Sequence, residues 1–127
     1  MASSYKGIII DQSVLEPKDI IKKAKIISDR ETTLEGESFR GKVLFYNIEV
    51  VNDKLWQVLN KVAESIKSPG WYFHLVNKER LYIVMPNVIL FANNNDTELN
   101  RIIGYAISQG INPRQLNLKQ LFDNPFA

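Results

Sequence analysis

The segment from Trp71 to Ala92 constrains this chain more than any other. It reads as three strands joined by two tight turns. Successive side chains on a strand point to opposite faces, and paired residues share a face. A three-residue first loop, Asn77-Lys78-Glu79, pairs Val76 with Arg80, and a two-residue second loop, Pro86-Asn87, pairs Met85 with Val88. One face then carries Trp71, Phe73, Leu75, Leu81, Ile83, Met85, Val88, Leu90 and Ala92, all apolar. The other carries Tyr72, His74, Val76, Arg80, Tyr82, Val84, Ile89, Phe91 and Asn93. A two-residue first loop mixes the two sets, so the burial pattern selects the register. Proline at the first turn position suits type I or II turns better than the primed types, which leaves a bulge or longer loop as the alternative there.

A chain of 127 residues fits one domain with a self-sufficient core. It has no cysteine, which excludes a disulfide framework and a thiolate metal site. Sixteen basic and 14 acidic residues leave a net charge of +2, too balanced to imply nucleic acid or an acidic membrane as partner. The longest apolar run, Ile8-Ile9-Ile10, falls far short of the ~20 residues that span a bilayer. Met1 to Tyr5 lack the apolar stretch of a signal peptide. The expectation is a soluble cytoplasmic protein without a cofactor.

Tyr5 to Ile10 reads as a strand despite Gly7. Pro17, followed by Ile20, Ile21, Ala24 and Ile27 at helical spacing, predicts a helix over 17–28 with Lys22, Lys23 and Lys25 on its outer side. The polar stretch 29–41 reads as a mobile loop. Lys42 to Val50 is the next strand. Asn52 or Asp53 can cap a helix over 53–67 whose apolar stripe is Leu55, Val58, Leu59, Val62 and Ile66. After the triple strand, Asn95 and Glu98 stand at capping-box spacing before Leu99, Ile102, Ile103, Ala106 and Ile107, and Gly110-Ile111 reads as a left-handed helix stop. Leu116, Leu118, Leu121 and Phe122 are available to dock the tail.

These elements predict an α+β fold. It is a two-layer sandwich, a mixed or antiparallel sheet of about five strands with helices on one face, roughly ferredoxin-like. Residues 1–41 form a strand–helix extension with the loop, 42–118 the core unit and 119–127 the tail. Strand 42–50, helix 53–67 and strand 71–77 make a crossover between strands that run the same way.

Trp71-Tyr72 with His74, Leu81 to Val84, Ala106-Ile107-Ser108-Gln109-Gly110-Ile111 and Gln115-Leu116 together are similar to a group of short uncharacterised prokaryotic proteins. The resemblance covers 42–118. Met85-Pro86-Asn87 and the 29–41 loop depart from the group's usual spacing. The resemblance implies no activity, so it carries over no functional residue.

His74 is the single histidine, which leaves a zinc site or a catalytic triad without its usual partners. No glycine-rich phosphate loop is present. Asp11 and Glu49, acids at strand ends, have no spacing that brings them together. The sharper candidate is a sheet face with Tyr72, His74, Arg80, Tyr82 and Phe91, flat rings with polar handles of the kind that interfaces favour. Such a face is covered by the chain itself, by a second copy, or by another ligand. The leading expectation is a non-enzymatic interaction module that binds a protein partner or itself. One alternative is an enzyme or small-molecule binder using His74 in a cleft beside the 29–41 loop. The other is an RNA-binding sheet that stacks bases on the rings, against which the face offers only Arg80 as positive charge.

Overall fold

Runs of β-branched and aromatic residues build six strands in the computed structural model, which describes residues 4–33, 42–67 and 70–126. They are β1 (Ser4–Ile10), β2 (Lys25–Thr33), β3 (Lys42–Val51), β4 (Phe73–Val76), β5 (Arg80–Met85) and β6 (Val88–Asn93). All neighbours are antiparallel, in the order β2-β3-β1-β4-β5-β6. Three helices accompany them: α1 (Pro17–Ile21), α2 (Leu55–Ser65) and α3 (Asp96–Ser108). The α+β class is as expected, with six strands rather than about five, but α2 and α3 lie on opposite faces of the sheet and not together on one.

β3, α2 and β4 form the expected crossover, and its two strands do run the same way. They are not adjacent, however. β1 lies between them, pairing Gly7 with Ile48 on one side and with Leu75 on the other. The N-terminal strand is therefore the middle of the sheet and not an extension of it. The likeness to a ferredoxin-like sheet is limited to this split unit.

The predicted helix over 17–28 is a second correction. Pro17 does start a helix, but it ends at Ile21, and 25–33 is the edge strand β2. A helix of that length is marginal on its own. The alternative gives the segment eight registered pairs with β3. Part of the stretch read as a loop, 29–33, thus belongs to β2, and 34–41 lies outside the described residues.

The helix ends follow their chemistry closely. The Asn95 side chain accepts from the Glu98 N–H at 3.1 Å. The return arm of the box, Glu98, reaches the Asn93 N–H instead, at 3.4 Å. Gly110, at φ 88°, closes α3 with Gly110 N–H to Ile107 and Ile111 N–H to Ala106, the Schellman pattern. Neither Asn52 nor Asp53 caps α2, because the chain enters it through a tight turn at Asn52–Lys54.

The meander keeps its second turn and loses its first. Met85 pairs with Val88 as expected, and Asn87 at φ 60° after Pro86 gives the sign pattern of a type II turn. Val76, in contrast, pairs with Leu81 and not with Arg80. Asn77 closes a two-residue tip: its Oδ1 accepts from the N–H groups of Glu79 (2.9 Å) and Arg80 (2.7 Å). A one-residue shift exchanges the faces. Phe73 and Leu75 now share a face with Tyr82 and Val84, while His74 and Val76 share one with Leu81 and Ile83.

Both of those faces are buried. Leu55, Val58, Leu59 and Val62 of α2 pack with Ile9, Ile48, Leu75 and Val84. On the opposite face Leu99, Ile102 and Ala106 of α3 pack with Leu81, Ile83, Met85 and Ala92, joined by Leu116, Leu118, Leu121 and Phe122 of the tail. Over β4–β6 the sheet therefore has a cover on each side. A strand buried on both faces shows no alternation, so hydrophobicity alone cannot choose its register.

Candidate interaction surface

The shifted register decides where the expected site residues go. Tyr72 and His74 lie on the α3 side of the sheet, and Arg80, Tyr82 and Phe91 on the α2 side. The single aromatic-polar face expected from the sequence is thus divided between two sides.

The first pair is built into the structure. The Tyr72 hydroxyl donates to the Gln115 carbonyl, and burial raises its phenol pKa above the ordinary range. His74 is 6% exposed, with Nε2 2.7 Å from the Pro125 carbonyl oxygen. A carbonyl only accepts, so Nε2 carries a proton in this contact whether the ring is neutral or charged. Burial drives its pKa down to about 4, against the opposing pull of that hydrogen bond. The partner of the imidazole is main chain, and the tail closes over it.

The second group gathers side chains from four elements. Tyr82, 4% exposed, is the hub. Its ring centroid lies 5.6 Å from Tyr5 of β1, 5.8 Å from Trp56 of α2 and 6.1 Å from Phe91 of β6. The first two contacts are edge-on, an arrangement the ring quadrupoles favour. The Arg80 Cζ stands 5.0 Å from the Phe91 centroid, and the guanidinium also reaches the Tyr82 hydroxyl. The Tyr5 hydroxyl joins Tyr82 and the Asn77 side chain, and burial, then the neighbouring Tyr82, raises its pKa. The hub is covered and the rim is open: Trp56 is 52% exposed and Phe91 56%. Among the described residues no carboxylate lies within ion-pair distance of Arg80.

Tyr5 and Trp56 are the members that sequence reasoning missed. The available signal for Trp56 was its place on α2, one residue off the apolar stripe that begins at Leu55. A large ring there has no reason to be buried in the core. Tyr82, conversely, is no surface probe, since its loss empties the centre of the cluster.

The predicted outer lysines also find a place. Lys22, Lys23, Lys25 and Lys54 line an open cleft of about 480 Å³ beside Glu49, whose Oε2 accepts from the Ser4 hydroxyl at 2.6 Å. Among the described residues no set of three His, Asp or Glu side chains is placed to hold a metal ion. None of their helices is long and apolar enough to cross a membrane. Compared with protein-family models, curated proteins and solved structures, the chain matches none of them.

Proposed function

We propose that this protein is a non-enzymatic interaction module that holds a protein partner on the Trp56–Phe91 surface. One observation carries this reading: two large, half-exposed rings flank a covered tyrosine beside a guanidinium that has no carboxylate within ion-pair distance among the described residues, Glu98 acting on it only from farther away. Tryptophan, tyrosine and arginine are the residues that concentrate binding energy at interfaces. The hub fixes the rings before any partner arrives, which lowers the entropy lost on binding. Catalysis by His74 has less support, because among the described residues its polar partner is the main-chain carbonyl of Pro125 in the tail.

Two measurements test the reading. Trp56→Ser and Phe91→Ser are expected to change unfolding free energy by less than about 1 kcal/mol each in urea titrations, since both side chains are half exposed. A photo-cross-linking phenylalanine analogue at position 91 is expected to form protein adducts in cells that produce the chain. Trp56→Ser and Arg80→Ser in the same molecule should cut that yield several-fold. An adduct yield no greater than from the analogue at exposed Asn124, or one indifferent to Trp56 and Arg80, overturns it.

A further inference from the structure

The two edges of the sheet differ in a way that bears on what the surface meets. β2 carries Lys25, Asp29, Arg30 and Glu31 and a register shift between Ile26 and Ser28. Charges and bulges are how edge strands avoid pairing with other chains. β6 has neither. From Met85 to Asn95 the sequence Met-Pro-Asn-Val-Ile-Leu-Phe-Ala-Asn-Asn-Asn contains no charge, and β6 pairs without a shift.

The geometry of the turn shows which main-chain groups are free. Met85 and Val88 close a two-residue turn, so they exchange hydrogen bonds, as do Ile83 with Leu90 and Leu81 with Ala92 in the alternation of an antiparallel ladder. The N–H and C=O groups of Ile89, Phe91 and Asn93 therefore point away from the sheet. Asn93 confirms the parity, since its N–H reaches Glu98 on that outer side. Among the described residues nothing pairs with the outward groups of Ile89 and Phe91.

The geometry points to a second copy of this chain as the occupant, with the two β6 strands antiparallel about a two-fold axis through Leu90. This rests on reading the Trp56–Phe91 surface as an interface, and it names the partner. Ile89 then exchanges hydrogen bonds with Phe91 of the other copy, and Phe91 with Ile89, so the four outward groups of Ile89 and Phe91 on each strand are paired. Phe91 gains an aliphatic cross-strand neighbour on the α2 side. The charge-free stretch lets a strand face itself without opposing like charges. The axis on Leu90, not on Phe91, spares the Asn93 N–H that Glu98 already holds. A β6–β6 contact is isologous, and the protected β2 edge does not extend it, so association closes at a dimer rather than growing into a fibre.

The chain has no cysteine, which makes the test clean. In this register Leu90 faces Leu90 in a non-hydrogen-bonded pair, with Cα atoms about 4.5 Å apart, within disulfide reach. Leu90→Cys is expected to form a covalent dimer under mild oxidation about tenfold faster than Val88→Cys, whose two copies lie beyond bridging distance. Adding Ile89→Pro removes one outward N–H and leaves the β5 ladder intact. It should abolish the cross-link while circular dichroism shows a folded chain. Light scattering on the unmodified protein should give a dimer at tens of micromolar. A monomer there, equal rates for the two cysteine variants, or faster linkage through Phe91→Cys overturns the proposal. Adducts from position 91 to a foreign protein, found with a monomeric chain, would sink self-pairing and leave the interaction-module reading standing. Absence of every adduct would remove both.

Discussion

Gly7→Ala is expected to destabilise the protein by at least about 3 kcal/mol, the upper range for forcing atoms into a filled interior. A Cβ at that position would lie 1.9 Å from the His74 carbonyl oxygen and 3.1 Å from a Leu75 methyl. The first contact is with main chain and cannot be relieved by a rotamer change. β1 would have to move away from β4, and it is held on its other side by β3 along its whole length. A urea midpoint shifted well below that of the native chain, with an unchanged slope, would verify the effect. An unshifted midpoint would mean that β1 does not run beside His74. The same substitution tests the strand order, because only a central β1 makes Gly7 indispensable.

Acidification should weaken the fold between pH 6.5 and 4 through His74 alone. Its pKa is about 4 in the folded chain against the ordinary 6.5, so above pH 6.5 both states hold a neutral ring and the stability is complete. Below pH 6.5 the unfolded chain binds a proton that the folded chain refuses, and stability falls until the folded ring itself titrates. The loss approaches about 3 kcal/mol at the acid end of that window, at 1.36 kcal/mol for each unit of separation. Denaturation curves at several pH values should show it, and His74→Gln should flatten that window. A chain ended at Asn124 separates the two causes, since it loses both the Pro125 hydrogen bond that holds the pKa up and part of the cover that holds it down; a ring that then titrates closer to 6.5 by NMR identifies burial as the larger. An imidazole that titrates near 6.5 in the intact protein would contradict its enclosure.

Local chemistry was well legible in the sequence. The Pro86-Asn87 turn, the apolar stripe of α2, the Asn95 cap and the Gly110 stop all depend on residues a few positions apart, and each forms where expected. Competition between distant segments was not legible. Ile20, Ile21, Ala24 and Ile27 fit a helix by spacing, yet β2 takes the last of them, at its bulge. The register of β4 on β5 failed for a related reason. Assigning the apolar side chains to one face presumes that the other face is wet, and here α3 and the tail keep it dry. Asn77 was the overlooked signal, because its side-chain carbonyl can close a two-residue tip in place of main chain.

The same slip explains the fate of the candidate site. Tyr82, Phe91 and Arg80 were correctly grouped because the β5–β6 pairing was right. Tyr72 and His74 came with them only through the wrong β4–β5 pairing. Trp56 and Tyr5 could join only once α2 and β1 were placed in space, which short-range periodicity does not reach.

The central place of β1 has a consequence for biosynthesis. The strand leaves the ribosome before either of its partners, and Ile8 meets Asn47 on one flank and His74 on the other, so neither flank can zip up until much more of the nascent chain exists. Closing loops of that span makes folding slow compared with a helical bundle of equal size. Through that delay Ile8-Ile9-Ile10 is a naked, uncharged β-former, the sort of stretch a chaperone must shelter while its neighbours are still being translated.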